Sequence, residues 1–244
     1  ISQLISCILV LRCLCTSKTS DQLHFGKLRI NTVYLKQIFQ VGIPAGIQST
    51  VINLSNALLQ SSVNSFGSTA MAGYTAANII FGFLYVAVKS VTQACMSFTS
   101  QNYGLRKLKR MDKILIDCLI LTVVVSLVLG GGVYLFGAEI LRLYTEEAEV
   151  IRCGIEIFAY TTVTYFLCGI MDLFPGALRG MDRSTVPMIL SVIGTVGTRI
   201  VWVFWLFPAH RSLAFLFISY PASWLITIAM QVICFYLVRR KVHG

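Results

Sequence analysis

Residues 38–66, IFQVGIPAGIQSTVINLSNALLQSSVNSF, contain no charged side chain. As a helix this stretch would rise about 40 Å, at about 1.5 Å per residue, enough to cross a hydrocarbon layer of about 30 Å. Five of its polar residues, Ser49, Asn53, Asn56, Gln60 and Asn64, fall within about 80° of one another at 100° per residue. The stretch therefore reads as a membrane-spanning helix with one polar stripe.

Five further long apolar blocks cover about 69–98, 114–137, about 153–178, 185–207 and 212–238. An opening run at 1–11 reads as the tail of a helix that starts earlier. The chain has 12% charged residues and a mean hydropathy of +0.77; a soluble domain carries about twice that charged fraction. The expected fold is an all-α polytopic membrane helix bundle with six complete spans plus that tail, because lipid offers backbone groups no partner outside the helix. The expected organisation is the tail at 1–11, a connecting segment at 12–37, the six-helix bundle at 38–238 and a terminal tail at 239–244.

The net charge of +10 is a topology signal. Placing 12–36, 99–113, 179–184 and the tail on one side gathers 15 of the 20 Lys and Arg there: Arg12, Lys18, Lys27, Arg29, Lys36, Arg106, Lys107, Lys109, Arg110, Lys113, Arg179, Arg183, Arg239, Arg240 and Lys241. The opposite loops hold Arg142, Arg152 and Arg211 beside Glu146, Glu147 and Glu149. By the positive-inside rule the connecting segment and the C-terminus are cytoplasmic. No basic and aromatic interleaving marks a nucleic-acid surface. The eight Cys include no CxxC pair and no His at ligand spacing, so no metal site is expected. His24, His210 and His243 fall in loops or the tail, a poor basis for an enzyme.

Polar residues inside the spans are where function is expected, since they face protein or water. Tyr74, Asn78, Tyr85 and Lys89 share one face of the second full helix. Thr161, Tyr165, Cys168 and Asp172 align in the fourth, and Tyr220, Trp224, Thr227 and Gln231 in the last. Such stripes can also simply join helices at about 1 kcal/mol per bond; four of them with ionisable members point to a water-accessible cavity. Lys89 and Asp172 lie at similar estimated depths, Asp172 about 10 Å inside the membrane edge by helical rise, and are expected to pair. Arg199 lies deeper and is expected to bond backbone carbonyls or a neighbouring helix. Pro44, Pro175 and Pro221 free carbonyls within helices.

Several stretches together carry a family resemblance: QVGIPAGIQSTVINLSNALLQSSVNSFGSTAMAGYTAA (40–77), FTSQNYGLRKLKRM (98–111), GIMDLFPGALRGMDRSTVPMI (169–189), RIVWVFWLFP (199–208) and SYPASW (219–224). In order and spacing they resemble the C-terminal lobe of a multidrug and toxic-compound extrusion (MATE) transporter. The resemblance implies a twelve-helix transporter of two six-helix lobes, of which this chain is the second. The missing N-terminal lobe of the same chain and the lipid bilayer would be its partners. It implies export of small organic cations, drugs and toxic metabolites across the cell (inner) membrane in exchange for Na+ or H+, with no other cofactor. Asn53, Asn56, Gln60, Asn78, Tyr85 and Tyr165 would line the substrate cavity, with Asp172, Lys89 and Arg199 as coupling or charge-pair residues. Residues 38–66 lack the acid found there in some sodium-coupled members, and Asp172 falls about one turn nearer the cytoplasm than their fourth-helix acid. Asp182 stands where a Gly is common, a change expected to affect only a loop. The alternative is a lipid-linked sugar flippase of related architecture, which would carry more basic residues in its cavity than Lys89 and Arg199.

Overall fold

The computed structural model describes residues 2–16, 22–24, 26 and 29–243. Lys18 and Lys27 of the connecting segment and Gly244 of the tail lie outside the described residues. The chain divides into two compact units, Ile1–Phe39 and Gln40–Gly244.

In the first unit, α1 (Ser2–Thr16) runs past the apolar opening. The chain after it returns to the helix end: the Leu23 N–H donates to Leu14 O at 3.0 Å and Gln22 Nε2 to Cys15 O at 2.8 Å. α2 (Thr32–Asn64) starts in this unit, six residues ahead of the uncharged stretch. Asn31 caps it, its Oδ1 accepting the Val33 N–H at 3.0 Å and so satisfying one orphan donor of the first turn.

The second unit is a helical bundle, with no strand among the described residues. It holds the rest of α2, then α3 (Ser68–Gly104), α4 (Leu108–Arg142), α5 (Ala148–Thr161), α6 (Tyr165–Gly180), α7 (Thr185–Ala209) and α8 (Leu213–His243). α3, α4, α7 and α8 are long and apolar enough to cross a membrane, and α5 with α6 makes a fifth span bent by 53°. α2 has the length of a sixth, but its polar stripe makes it less apolar than the others. Large apolar side chains on the outer faces, such as Val86, Val128 and Leu135, are exposed, which suits lipid rather than water. The chain is a multi-pass membrane protein.

α6 lies at the centre. Leu173 and Leu178 on it are fully buried, and Phe158, Phe217, Ile157 and Leu216 from neighbouring helices fill the core. α6 approaches α3 and α4 closely because glycine faces them. A Cβ at Gly169 would sit 2.4 Å from Thr122 Cγ2 and 2.7 Å from Val88 Cγ1, and one at Gly180 2.7 Å from the Met96 carbonyl oxygen. Small residues at such contacts let membrane helices gain dispersion energy, since lipid supplies no hydrophobic drive between them.

Two helices end in the same turn. After α3, the Arg106 N–H donates to Tyr103 O and Lys107 N–H to Asn102 O; after α6, Asp182 N–H donates to Arg179 O and Arg183 N–H to Leu178 O. Both are Schellman motifs, which place one residue in the left-handed region, usually glycine. Here those residues are Arg106 (φ 53°) and Asp182 (φ 58°). The Asp182 position is thus a strained backbone site as well as a loop. Arg106→Gly should raise stability by about 1 kcal/mol, by removing the Cβ–carbonyl crowding of that region. The gain at Asp182 should be smaller, because Asp tolerates it better. Thermal unfolding in detergent checks this, and an unchanged or lowered midpoint for Arg106→Gly refutes it.

Candidate functional site

Three polar centres lie within the spans. The first joins α3 to α6. Tyr85 and Lys89 are one turn apart on α3 and so share a face. Both reach Asp172 on α6: Lys89 Nζ stands 3.3 Å from Oδ2, and the Tyr85 hydroxyl donates to the same oxygen at 3.1 Å. The ammonium also lies 5.4 Å from the Tyr85 ring centroid, within cation–π range. The Asp172 side chain is 12% exposed and that of Lys89 43%, so the carboxylate is withdrawn and the ammonium is its open side.

The second centre joins α7 to α2. Arg199 is buried and donates from Nη1 to Asn56 Oδ1 at 2.6 Å, while its guanidinium carbon lies 4.5 Å over the Tyr220 ring. It sits in a short α-helical stretch, Thr198–Val201, between two π-helical ones, Val192–Gly197 and Trp202–Leu206. A π turn takes in more than the usual residues per turn, and such insertions concentrate at functional positions. The third centre is nearer the basic end, where Arg179 Nη2 donates to Gln48 Oε1 at 2.5 Å. Gln48 is buried, a position sequence reasoning missed.

The other expected site residues are placed differently. Asn53, Gln60 and Asn78 are exposed, on faces that none of the described residues covers. Tyr165 is in the core, stacked on Phe81 with its hydroxyl donating to Phe81 O at 3.2 Å. The α8 stripe corrects the expectation of a cavity there. Gln231 is fully buried and donates to Pro187 O at 2.8 Å and Ser191 Oγ at 2.9 Å, Thr227 bonds Thr195, and Trp224 packs between Tyr165 and Tyr220. These side chains join α8 to α7 and α6. Near the basic end Arg239 pairs with Asp112, tying α8 to α4. Among the described residues no three His, Cys, Asp or Glu side chains come together to hold a metal ion.

The model of the MatE family matches residues 44–205. The chain belongs to the MATE transporter family. Members of that family are transporters, not enzymes. Among curated relatives, the chain is 24% identical over 220 residues to "Probable multidrug resistance protein YoeA" of Bacillus subtilis, a match covering 87% of this chain and 47% of that one. It is 22% identical over 164 residues to the multidrug export protein MepA of Staphylococcus aureus, covering 67% of this chain and 36% of MepA. Among solved structures, a MOP superfamily transporter from Pyrococcus furiosus, described by the reverse polarity of its binding pocket, superposes with a TM-score of 0.87 at 17% identity. That match covers all of this chain and 55% of the other. The Vibrio cholerae MATE transporter VcmN in its bent form gives 0.81 at 18% identity, over 97% of this chain and 53% of VcmN. The chain spans about half the length or less of the curated relatives it matches. At these identities the structural likeness establishes the fold, and the site residues rest on the geometry above.

Proposed function

We propose that this chain is the C-terminal six-helix lobe of a twelve-helix secondary transporter that exports organic cations, drugs and toxic metabolites in exchange for Na+ or H+. In this reading residues 12–37 connect it to an N-terminal lobe, the protein lies in the cell (inner) membrane, and the connecting segment and C-terminal tail face the cytoplasm. The basic loops support that orientation. The observation that carries the reading is the Asp172 cluster: an intramembrane carboxylate held by an ammonium and a phenol. A charge at that depth is kept where a protein moves ions or polar compounds. Alternating access requires only that cargo and coupling ion bind the inward and outward states with different affinity, and an ion competing with Lys89 for Asp172 meets that condition. Asn53, Asn56, Gln60, Asn78 and Tyr85 supply the polar lining, and the exposed ones among them face the space a second lobe would enclose; Tyr165 supports Phe81 from behind.

The test is efflux of a fluorescent organic cation by the full-length protein in vesicles, under an imposed proton or sodium gradient. Export should follow one of the two gradients. Asp172→Asn should lower it about tenfold or more, the scale of one lost charge interaction of about 1.4 kcal/mol. Unchanged export by well-folded Asp172→Asn removes Asp172 from the mechanism. No export with either gradient by correctly folded protein shifts the reading to the lipid-linked sugar flippase or to a narrow substrate of another kind.

A further inference from the structure

Arg199 is a charge without a counter-charge. It is 3% exposed, and among the described residues no carboxylate lies within ion-pair distance of it. A guanidinium has five N–H donors, yet among the described residues the only acceptor Arg199 reaches is Asn56 Oδ1, and its Nε is buried with no partner there. The Tyr220 ring covers one face of its plane. The one acid paired in the interior, Asp172, is already taken by Lys89. Arg179 nearer the basic end is likewise bound to a neutral amide, that of Gln48, but it is only half-buried; Arg199 is the more deeply buried of these two positive charges without a carboxylate. Buried unpaired charges are costly; Asn56 gives the guanidinium one charge-assisted bond but no counter-charge, whereas a carboxylate supplies the counter-charge and two oxygens that match the guanidinium fork. A carboxylate offered to Arg199 therefore outcompetes Asn56.

The approach is also defined. Asn56 is half-buried on α2, with Asn53 and Gln60 exposed about one turn to either side, so the guanidinium is reached along the polar stripe of α2. Tyr220, half-buried, provides aromatic surface beside it. We propose that Arg199 is the receptor for an acidic group on the transported compound, and that the carboxylate takes the guanidinium from Asn56. This rests on the exporter reading and narrows the cargo from organic cations to amphipathic compounds that bear a carboxylate. Because Asn56–Arg199 and Gln48–Arg179 are two polar ties between α2 and the rest of the bundle, occupancy of the site also releases one tie on α2.

The experiment compares a rhodamine carrying a free carboxylate with its ethyl ester. Binding to the full chain in detergent is read by quenching of its tryptophans, and transport is read in vesicles. The wild-type protein should bind the carboxylate form on the order of tenfold more tightly than the ester, the step for about 1.4 kcal/mol. Arg199→Gln should bring the two affinities together. Asn56→Asp should do the same, because it seats an internal carboxylate on the guanidinium in nearly the same volume. Equal affinities in the wild type, binding of neither dye, or a preference that survives in folded Arg199→Gln overturns the proposal. If Arg199→Gln does not fold, a preference surviving in Asn56→Asp overturns it instead. Preferential binding without transport retains the acid receptor and removes the exporter reading; transport of both dyes without preference does the reverse.

Discussion

Replacing Lys89 with Met alone should destabilise the protein more than replacing Lys89 with Met and Asp172 with Asn together. In the single variant the withdrawn carboxylate keeps, among the described residues, only the Tyr85 hydroxyl as a donor. Removing one member of a fully buried pair costs about 3–5 kcal/mol, whereas an exposed pair is worth less than about 1 kcal/mol. Lys89 is 43% exposed and Asp172 12%, so a coupling of about 1–2 kcal/mol is expected from the double-mutant cycle. Thermal unfolding in detergent of the two single variants and the double variant measures it. Additive effects would show that the ammonium and carboxylate are neighbours without interaction, and would remove the basis for ion exchange at Asp172.

A methyl group at Gly169 should be among the most damaging small changes in the bundle. Three helices meet there, and the added Cβ would lie 2.4 Å from Thr122 Cγ2 and 2.7 Å from Val88 Cγ1. Both neighbours are β-branched, so their side chains have little rotamer freedom with which to yield. The helices must separate, and overpacking of this kind costs about 1–3 kcal/mol. Gly131→Ala is the matched control, since a Cβ there meets nothing within 4 Å; its effect should stay within about 1 kcal/mol of wild type. Comparable melting shifts for the two variants would mean that α6 does not depend on close approach to α3 and α4.

The spans were legible because apolar length is a local property, and the family because several of its stretches keep their order. Lys89 and Asp172 were legible as a pair because the interior offers few charges and helical rise gives their depths. Arg199 was expected to bond carbonyls or a neighbouring helix; the second holds, but its partner Asn56 lies 143 residues away, and nothing local in the sequence selects that amide over Asn53 or Gln60. Gln48 and Arg179, 131 residues apart, escaped for the same reason. The α8 stripe shows the opposite limit: periodicity reveals that a face is polar, not whether it meets water or another helix. The block 153–178 reads as one helix, but it is two, broken at Thr162–Thr164. The signal was the run of Thr and Val at 161–164, which combines poor helix formers with hydroxyls able to bond the chain behind them.

That break has a mechanical meaning. A bend in lipid leaves carbonyls to be satisfied, and here the protein does so from within: Thr162 Oγ1 donates to Phe158 O at 2.7 Å, and Thr164 Oγ1 to Tyr160 O at 3.0 Å and Thr161 O at 3.2 Å. The Thr164 hydroxyl thus answers two carbonyls at the elbow from within the chain, while the Thr161 hydroxyl stays buried without a partner among the described residues. Gly130 on α4 presses directly on it, since a Cβ there would lie 2.6 Å from Thr162 O. The elbow is therefore a stiff bracket rather than a hinge. It fixes the pitch of α6 and with it the height of Asp172, so that any compliance in the bundle falls to helices held by few side-chain bonds, α2 with its two ties foremost.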